Sequence, residues 1–154
     1  MRRAFLVLTV LFAALFCTRA GATIVINELM LSTATYESGH AYEWIELYND
    51  SSKAVSLYGM TLTYVHKDQI SSFTFQSTTK LKAHGYAIVY FTNYDKKASS
   101  GNTYYAPFDV SKKGGTFTIT DKGGQLVTEL TVGRQYCDVS WGLVSGTNEY
   151  RYLS

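Results

Sequence analysis

The densest group of side chains able to do chemistry is acidic and lies in one short segment. Glu43, Glu46 and Asp50 are near neighbours in the sequence, and clustered carboxylates can bind calcium or act as a general acid and base. The segment Tyr42–Tyr48 alternates as a β-strand does, which sends Glu43 and Glu46 to opposite faces. Asp50 falls in a turn, where aspartate caps its own backbone. We therefore favour a structural role for all three.

The remaining polar residues do not match a hydrolase or a metal site. His40, His66 and His84 are the three histidines, and none is paired at the short spacing of a zinc site. The sequence also lacks a Gly-x-Ser-x-Gly segment, the turn that exposes the serine nucleophile in many hydrolases. The sequence predicts no catalytic residue, no metal ligand and no cofactor, and hence no enzyme.

Two lysine and glycine segments have a faint likeness to phosphate-binding loops. They are Lys112–Gly115 and Lys122–Gly124. A phosphate loop continues into a helix and ends in Gly-Lys-Ser/Thr, whereas β-branched strand sequence follows both segments here. Hairpin turns are the better interpretation.

Aromatic residues supply the candidate ligand contacts. Exposed aromatic rings stack on sugars or bases, and the polar stretch Thr92–Thr103 is predicted to be a surface loop that could present them. The competing interpretation is that these tyrosines are ordinary strand residues. The candidate ligand-binding residues in and beyond this loop are Tyr94, Asp95, Tyr104, Tyr105 and Trp141.

Strands are the elements that must position these side chains. Tyr, Thr and Val are frequent, and there is a single proline. Short alternating or β-branched runs recur between turn signals, and Gly59 marks a bend between two of them. The spacing predicts an all-β sandwich of about eight strands.

The N-terminus is typical of a secretory signal peptide. Arg2 and Arg3 precede the apolar run Ala4–Cys17, and Ala20-Gly21-Ala22 is a small-x-small cleavage signal. We predict a signal peptide over residues 1–22, a mature domain over residues 23–154, and no transmembrane segment after cleavage. The predicted location is either outside the cell or in the periplasm and cell envelope.

Charge and cysteine content restrict the partners. The signal carries three of the 14 basic residues and no acidic residue, so the mature chain has 11 basic and 12 acidic side chains. This balance does not favour DNA, whose binding needs phosphate neutralisation. Cys137 remains alone after cleavage, so no internal disulfide can form, and we expect it to be buried as a small apolar side chain.

Six segments, in chain order, resemble the segments of bacterial lamin-tail domains. They are Ile24–Met30, Tyr42–Asn49, Val55–Leu62, Leu81–Tyr86, Phe108–Gly115 and Asp138–Gly142. The resemblance implies an immunoglobulin-like β-sandwich without the disulfide of antibody domains. His84 stands where the family tends to have glycine. The sequence also stops short of the family's Thr-Pro-Gly-x-x-Asn ending, so either the terminus is atypical or the domain lacks its last few residues.

The resemblance and the export signal together indicate a non-catalytic binding or anchoring domain. The expected partner is an envelope protein or a polysaccharide, with extracellular DNA less favoured. One alternative is the N-terminal accessory domain of a longer exported hydrolase or nuclease. The other is a calcium-dependent carbohydrate-binding module that uses the loop holding Asp95 and Tyr104.

Overall fold

A computed structural model describes residues 23–34, 36–37, 40–93 and 98–153. Within these residues the chain forms strands and no helix, and so contains no helix that could cross a membrane. The strands are β1 (Ile24–Met30), β2 (Tyr36–Glu37), β3 (His40–Ala41), β4 (Glu43–Asn49), β5 (Val55–Ser56), β6 (Thr61–His66), β7 (Gln69–Thr74), β8 (Lys80–Leu81), β9 (Tyr86–Phe91), β10 (Thr103–Ala106), β11 (Gly115–Thr120), β12 (Leu126–Val132), β13 (Ser140–Leu143) and β14 (Tyr150–Leu153).

Two larger sheets form the body of the molecule. The six-stranded sheet has the order β10-β9-β4-β1-β13-β14, and the four-stranded sheet has the order β12-β11-β6-β7. Two small ribbons, β2-β3 and β5-β8, lie outside them. The predicted all-β, immunoglobulin-like sandwich without a disulfide is confirmed, although the described residues contain more strands than the eight expected.

The core lies between the two sheets and follows from the alternation of each strand. In β4, Ile45 and Leu47 are fully buried, while Glu46 between them is half-buried. Aromatic rings from both sheets meet in the centre, where Phe91 lies 5.8 Å from Phe117 between ring centroids. These buried side chains form a single apolar cluster that supplies most of the stabilising free energy.

A bulge in β1 redirects one polar side chain. The register against β4 shifts between Ile26 and Glu28, which leaves Asn27 as the extra residue. Bulges of this kind re-aim side chains. The Asn27 side chain consequently reaches Glu46 on the outer face of the sheet and donates a hydrogen bond of 2.7 Å to its carboxylate.

The predicted Thr92–Thr103 loop is shorter than expected because its end belongs to a strand. β10 begins at Thr103 and pairs in parallel with β9. Reciprocal backbone hydrogen bonds of 3.0 Å between Ser100 and Thr103 close the turn that leads into it. β10 thereby becomes the edge of the six-stranded sheet.

Cys137 is exposed, so the expectation that it is buried was wrong. The connection between β12 and β13 runs over the surface, and Cys137 occupies a turn in it. The neighbouring Asp138 anchors this turn, because its carboxylate accepts hydrogen bonds from the Thr33 hydroxyl at 2.9 Å and the Ala34 amide at 2.8 Å. The Cys137 thiol lies 3.7 Å from the same carboxylate, at the surface.

Candidate binding surface

The outer face of the six-stranded sheet is aromatic. In β4, β9 and β10 the residues that alternate with the buried core residues point away from the other sheet. We call this surface the aromatic face, and its rings are Trp44, Tyr48, Tyr86, Tyr90 and Tyr105. Tyr86 is the most open of them, with 51% of its surface exposed.

Strand register gathers these rings into two groups. Trp44 lies opposite Tyr90, which lies beside Tyr105 on β10, and the Tyr90 and Tyr105 rings stack at 5.6 Å. Tyr48 lies opposite Tyr86, with ring centroids 4.9 Å apart. Four residues along a strand separate the two groups, which corresponds to about 13 Å.

A polar strip lies between the two aromatic groups. It consists of Asn27, Glu28 and Glu46, beside the apolar Ile88. Burial raises the pKa of Glu46, and the nearby charge of Glu28 raises it further, while the hydrogen bond from Asn27 acts in the opposite direction. The strip therefore offers carboxylate and amide groups between aromatic rings.

The outer face of the four-stranded sheet has a different chemistry. It carries threonine and serine hydroxyls that pair across strands, for example Thr61 with Thr74 at 3.1 Å and Thr116 with Thr131 at 2.9 Å. Such a face is well solvated, since every hydroxyl can also bond to water. The aromatic side chains are thus concentrated on one outer face rather than spread over both.

A cleft of about 660 Å³ adjoins the aromatic face at the Tyr48 and Tyr86 end. Tyr150 of β14 forms part of its wall, and Trp141 supports this ring by stacking on it at 4.7 Å. Asp50 and Glu129 contribute carboxylates. The described residues that line the cleft include no lysine, arginine or histidine, so its charge is negative.

The structure separates the predicted ligand-binding residues. Tyr105 lies on the aromatic face, and Trp141 packs half-buried against the core behind the cleft. Tyr94 and Asp95 lie outside the described residues.

The expectation that the Tyr104 ring contacts a ligand at the surface was wrong. Its side chain is fully buried and packs edge-on against Phe75, with ring centroids 4.9 Å apart. Parallel pairing of β10 with β9 turns Tyr104 inward and Tyr105 outward. Burial raises the pKa of the Tyr104 hydroxyl, an effect that the Ser77 side chain partly offsets. A ligand in solvent cannot reach this ring in the folded domain.

Sequence reasoning missed the tyrosines of β9 as ligand contacts. Tyr86 and Tyr90 alternate with buried residues in β9. The available signal was that β4 and β9 both carry aromatic residues at the positions that alternate with their aliphatic core residues. Strand alternation alone could have indicated an aromatic outer face.

The glutamates of β4 and two of the histidines have defined places in the strands and turns. Glu43 and Glu46 lie on opposite faces of β4, as predicted. His84 adopts a positive φ of 55° in a turn, and its Nδ1 lies 3.0 Å from the Tyr48 hydroxyl. His66 Nδ1 lies 2.7 Å from the Gly114 carbonyl oxygen. Across the described residues, no three His, Cys, Asp or Glu side chains are placed to hold a metal ion.

Comparison with known families agrees with the fold. The family model described as Lamin Tail Domain matches residues 18–134. The chain belongs to this family. The Lamin Tail Domain is a non-enzymatic, immunoglobulin-like binding and scaffold domain. The match ends before β13 and β14, so the predicted likeness over Asp138–Gly142 lies beyond it. No protein with a curated description matches the chain significantly.

The raised pKa of Glu46 leads to a pH-dependent prediction for this lamin tail domain. A carboxyl whose folded-state pKa is above its usual 4.5 contributes stability in acid, and that contribution is lost as the pH rises through the folded-state pKa. Glu46→Gln removes the charge and keeps an oxygen that can accept from Asn27. We expect this variant to melt at a higher temperature than the wild type at neutral pH.

The difference between the two melting temperatures should shrink as the pH falls and disappear at about pH 3, well below the usual glutamate pKa, where the wild-type carboxyl is protonated in both states. Glu149→Gln, at an exposed position in the β13–β14 loop, is the control for a general effect of net charge. A lower melting temperature for Glu46→Gln at neutral pH would show that the carboxylate itself stabilises the sheet.

Proposed function

We propose that residues 23–154 form an exported, non-catalytic attachment domain that acts at the cell envelope or outside the cell. The aromatic face is its contact surface. The signal-like N-terminus supports export, and membership of the Lamin Tail Domain family supports a binding role. The observation that carries the proposal is the concentration of Trp44 and four tyrosines on one outer face.

The physical reason is that exposing aromatic side chains to water is unfavourable in free energy. Soluble domains seldom leave a contiguous apolar patch open unless it contacts a partner or ligand. The hydroxyl-rich face of the four-stranded sheet is an internal comparison, because it has the same β geometry and no such aromatic cluster. Attachment through the aromatic face would cover rings that are now half-buried or exposed.

Export is tested by the N-terminus of the protein recovered from producing cells. We expect cell fractionation to place the protein in the envelope or the medium, and mass spectrometry to give Thr23 as its first residue. A cytosolic protein that retains residues 1–22 would contradict export.

Attachment is tested with a pair of tyrosine variants of similar exposure. Tyr86 is 51% exposed on the aromatic face, and Tyr58 is 47% exposed in the turn before β6. We expect Tyr86→Ala to reduce the fraction of protein that co-sediments with washed envelopes at least about fivefold, since one aromatic stacking contact contributes about 1 to 3 kcal/mol. Tyr58→Ala should co-sediment as the wild type does. Equal retention of the two variants would contradict the assignment of the surface.

A further inference from the structure

We propose that the aromatic face and the adjoining cleft together bind a neutral polysaccharide chain. This inference rests on the proposed function, because it assigns a ligand class to the same surface. The ligand would run along β4 and β9, from the rings around Trp44 to those around Tyr86, and enter the cleft beside Tyr150.

The aromatic rings are arranged for an extended ligand. Sugar rings have apolar C–H faces that stack on tyrosine and tryptophan, while their hydroxyl edges remain available for hydrogen bonds. The two aromatic groups lie about 13 Å apart along the strands. This separation is too long for one sugar ring to contact both groups, so the spacing fits a chain of several sugars.

The polar groups between and beyond the rings match sugar hydroxyls. Asn27 and Glu46 are held together by a 2.7 Å hydrogen bond in the strip between the aromatic groups. The cleft adds Asp50, Glu129 and Asn148. Carboxylates accept hydrogen bonds and amides both donate and accept them, which is the combination that hydroxyl groups require.

The charge of the site selects against anionic polymers. Glu28 and Glu46 lie on the sheet, and Asp50 and Glu129 line the cleft. Nucleic acids and acidic polysaccharides carry repeated negative charges and depend on lysine and arginine for neutralisation. Neither residue type occurs in the described lining of the cleft. The polymer should therefore be uncharged.

The test uses residues 23–154. Binding to insoluble cellulose and chitin is measured by depletion of the protein from solution, and binding to alginate and short duplex DNA by gel mobility. We expect retention on a neutral polymer that is unchanged by EDTA and nearly unchanged by added salt. Tyr86→Ala should weaken this binding at least about fivefold, and Tyr58→Ala should leave it intact. Circular dichroism melts check that both variants are folded.

Each alternative outcome has a distinct meaning. Binding only to alginate or DNA, with an affinity that falls steeply as salt rises, would overturn the inference. So would neutral-polymer binding that Tyr86→Ala leaves unchanged, since the site would then lie elsewhere. If no polymer binds but Tyr86→Ala still reduces attachment to envelopes, this inference is overturned and the proposed function stands without it. If attachment also survives in Tyr86→Ala, both are wrong.

Discussion

Asn49→Asp is expected to destabilise the domain by about 3 to 5 kcal/mol, as measured by urea denaturation at neutral pH. Asn49 is fully buried at the end of β4. Its Nδ2 donates to the backbone carbonyls of Lys53 at 2.8 Å, Leu81 at 3.2 Å and Lys82 at 2.8 Å. Its Oδ1 accepts from the Ser51 amide and hydroxyl at 3.1 and 2.8 Å.

The aspartate has the same shape but cannot donate when it is ionised. The buried carbonyl oxygens would then lose their hydrogen-bond donor and face a buried negative charge. Each of these two effects destabilises the folded state. The loss should shrink in acid, where a protonated aspartate recovers one donor. Asn148→Asp, at an exposed position, is the matched control. A loss below about 1 kcal/mol for Asn49→Asp would show that water replaces the donor in this site.

Gly114→Ala is expected to have the second large effect, a loss of about 4 kcal/mol or more. Gly114 has a φ of 90°, and a Cβ there would lie 2.1 Å from the Val132 carbonyl oxygen. The contact is with backbone, which cannot move aside as a flexible side chain does. The Gly114 carbonyl oxygen also accepts a 2.8 Å hydrogen bond from the buried Tyr64 hydroxyl, so displacement of the turn disturbs the core.

Gly124→Ala separates the two contributions to this loss of stability, which are the steric overlap of the new Cβ and the strain of the left-handed backbone. Gly124 has a similar φ of 82°, but no atom lies within 4 Å of its hypothetical Cβ. Its replacement should cost only the left-handed backbone penalty of about 1 to 2 kcal/mol. Both variants are compared by urea unfolding. Equal losses would mean that the 2.1 Å contact relaxes at little cost and that only the backbone conformation matters.

Local sequence pattern was sufficient for much of the fold. Alternation assigned the two faces of β4 correctly. The hairpin turn at Lys122–Gly124 forms as predicted between β11 and β12, and the preceding Asp121 carboxylate accepts hydrogen bonds from the amides of Gly123 and Gln125 at 2.8 Å. The bend at Gly59 has the positive φ of 78° that glycine favours. These features depend on residues close in the sequence, which is why the sequence indicates them.

Features that depend on residues distant in the sequence were not predictable from local sequence pattern. β10 is a strand because it pairs in parallel with β9, and that pairing decides that Tyr104 is buried while Tyr105 is on the surface. β13 and β14 are four residues each and lack clear alternation. The aromatic face itself combines three strands whose adjacency is a property of sheet order.

The central claim is that the outer face of the six-stranded sheet is the contact surface. The most direct measurement replaces Ile88, at the centre of the aromatic face, or Thr63, at the centre of the opposite face, by benzoylphenylalanine. This photoreactive residue inserts into C–H bonds of proteins and sugars alike. After irradiation of producing cells, we predict slowly migrating covalent adducts from position 88 and none from position 63. Adducts from position 63 alone would contradict the account.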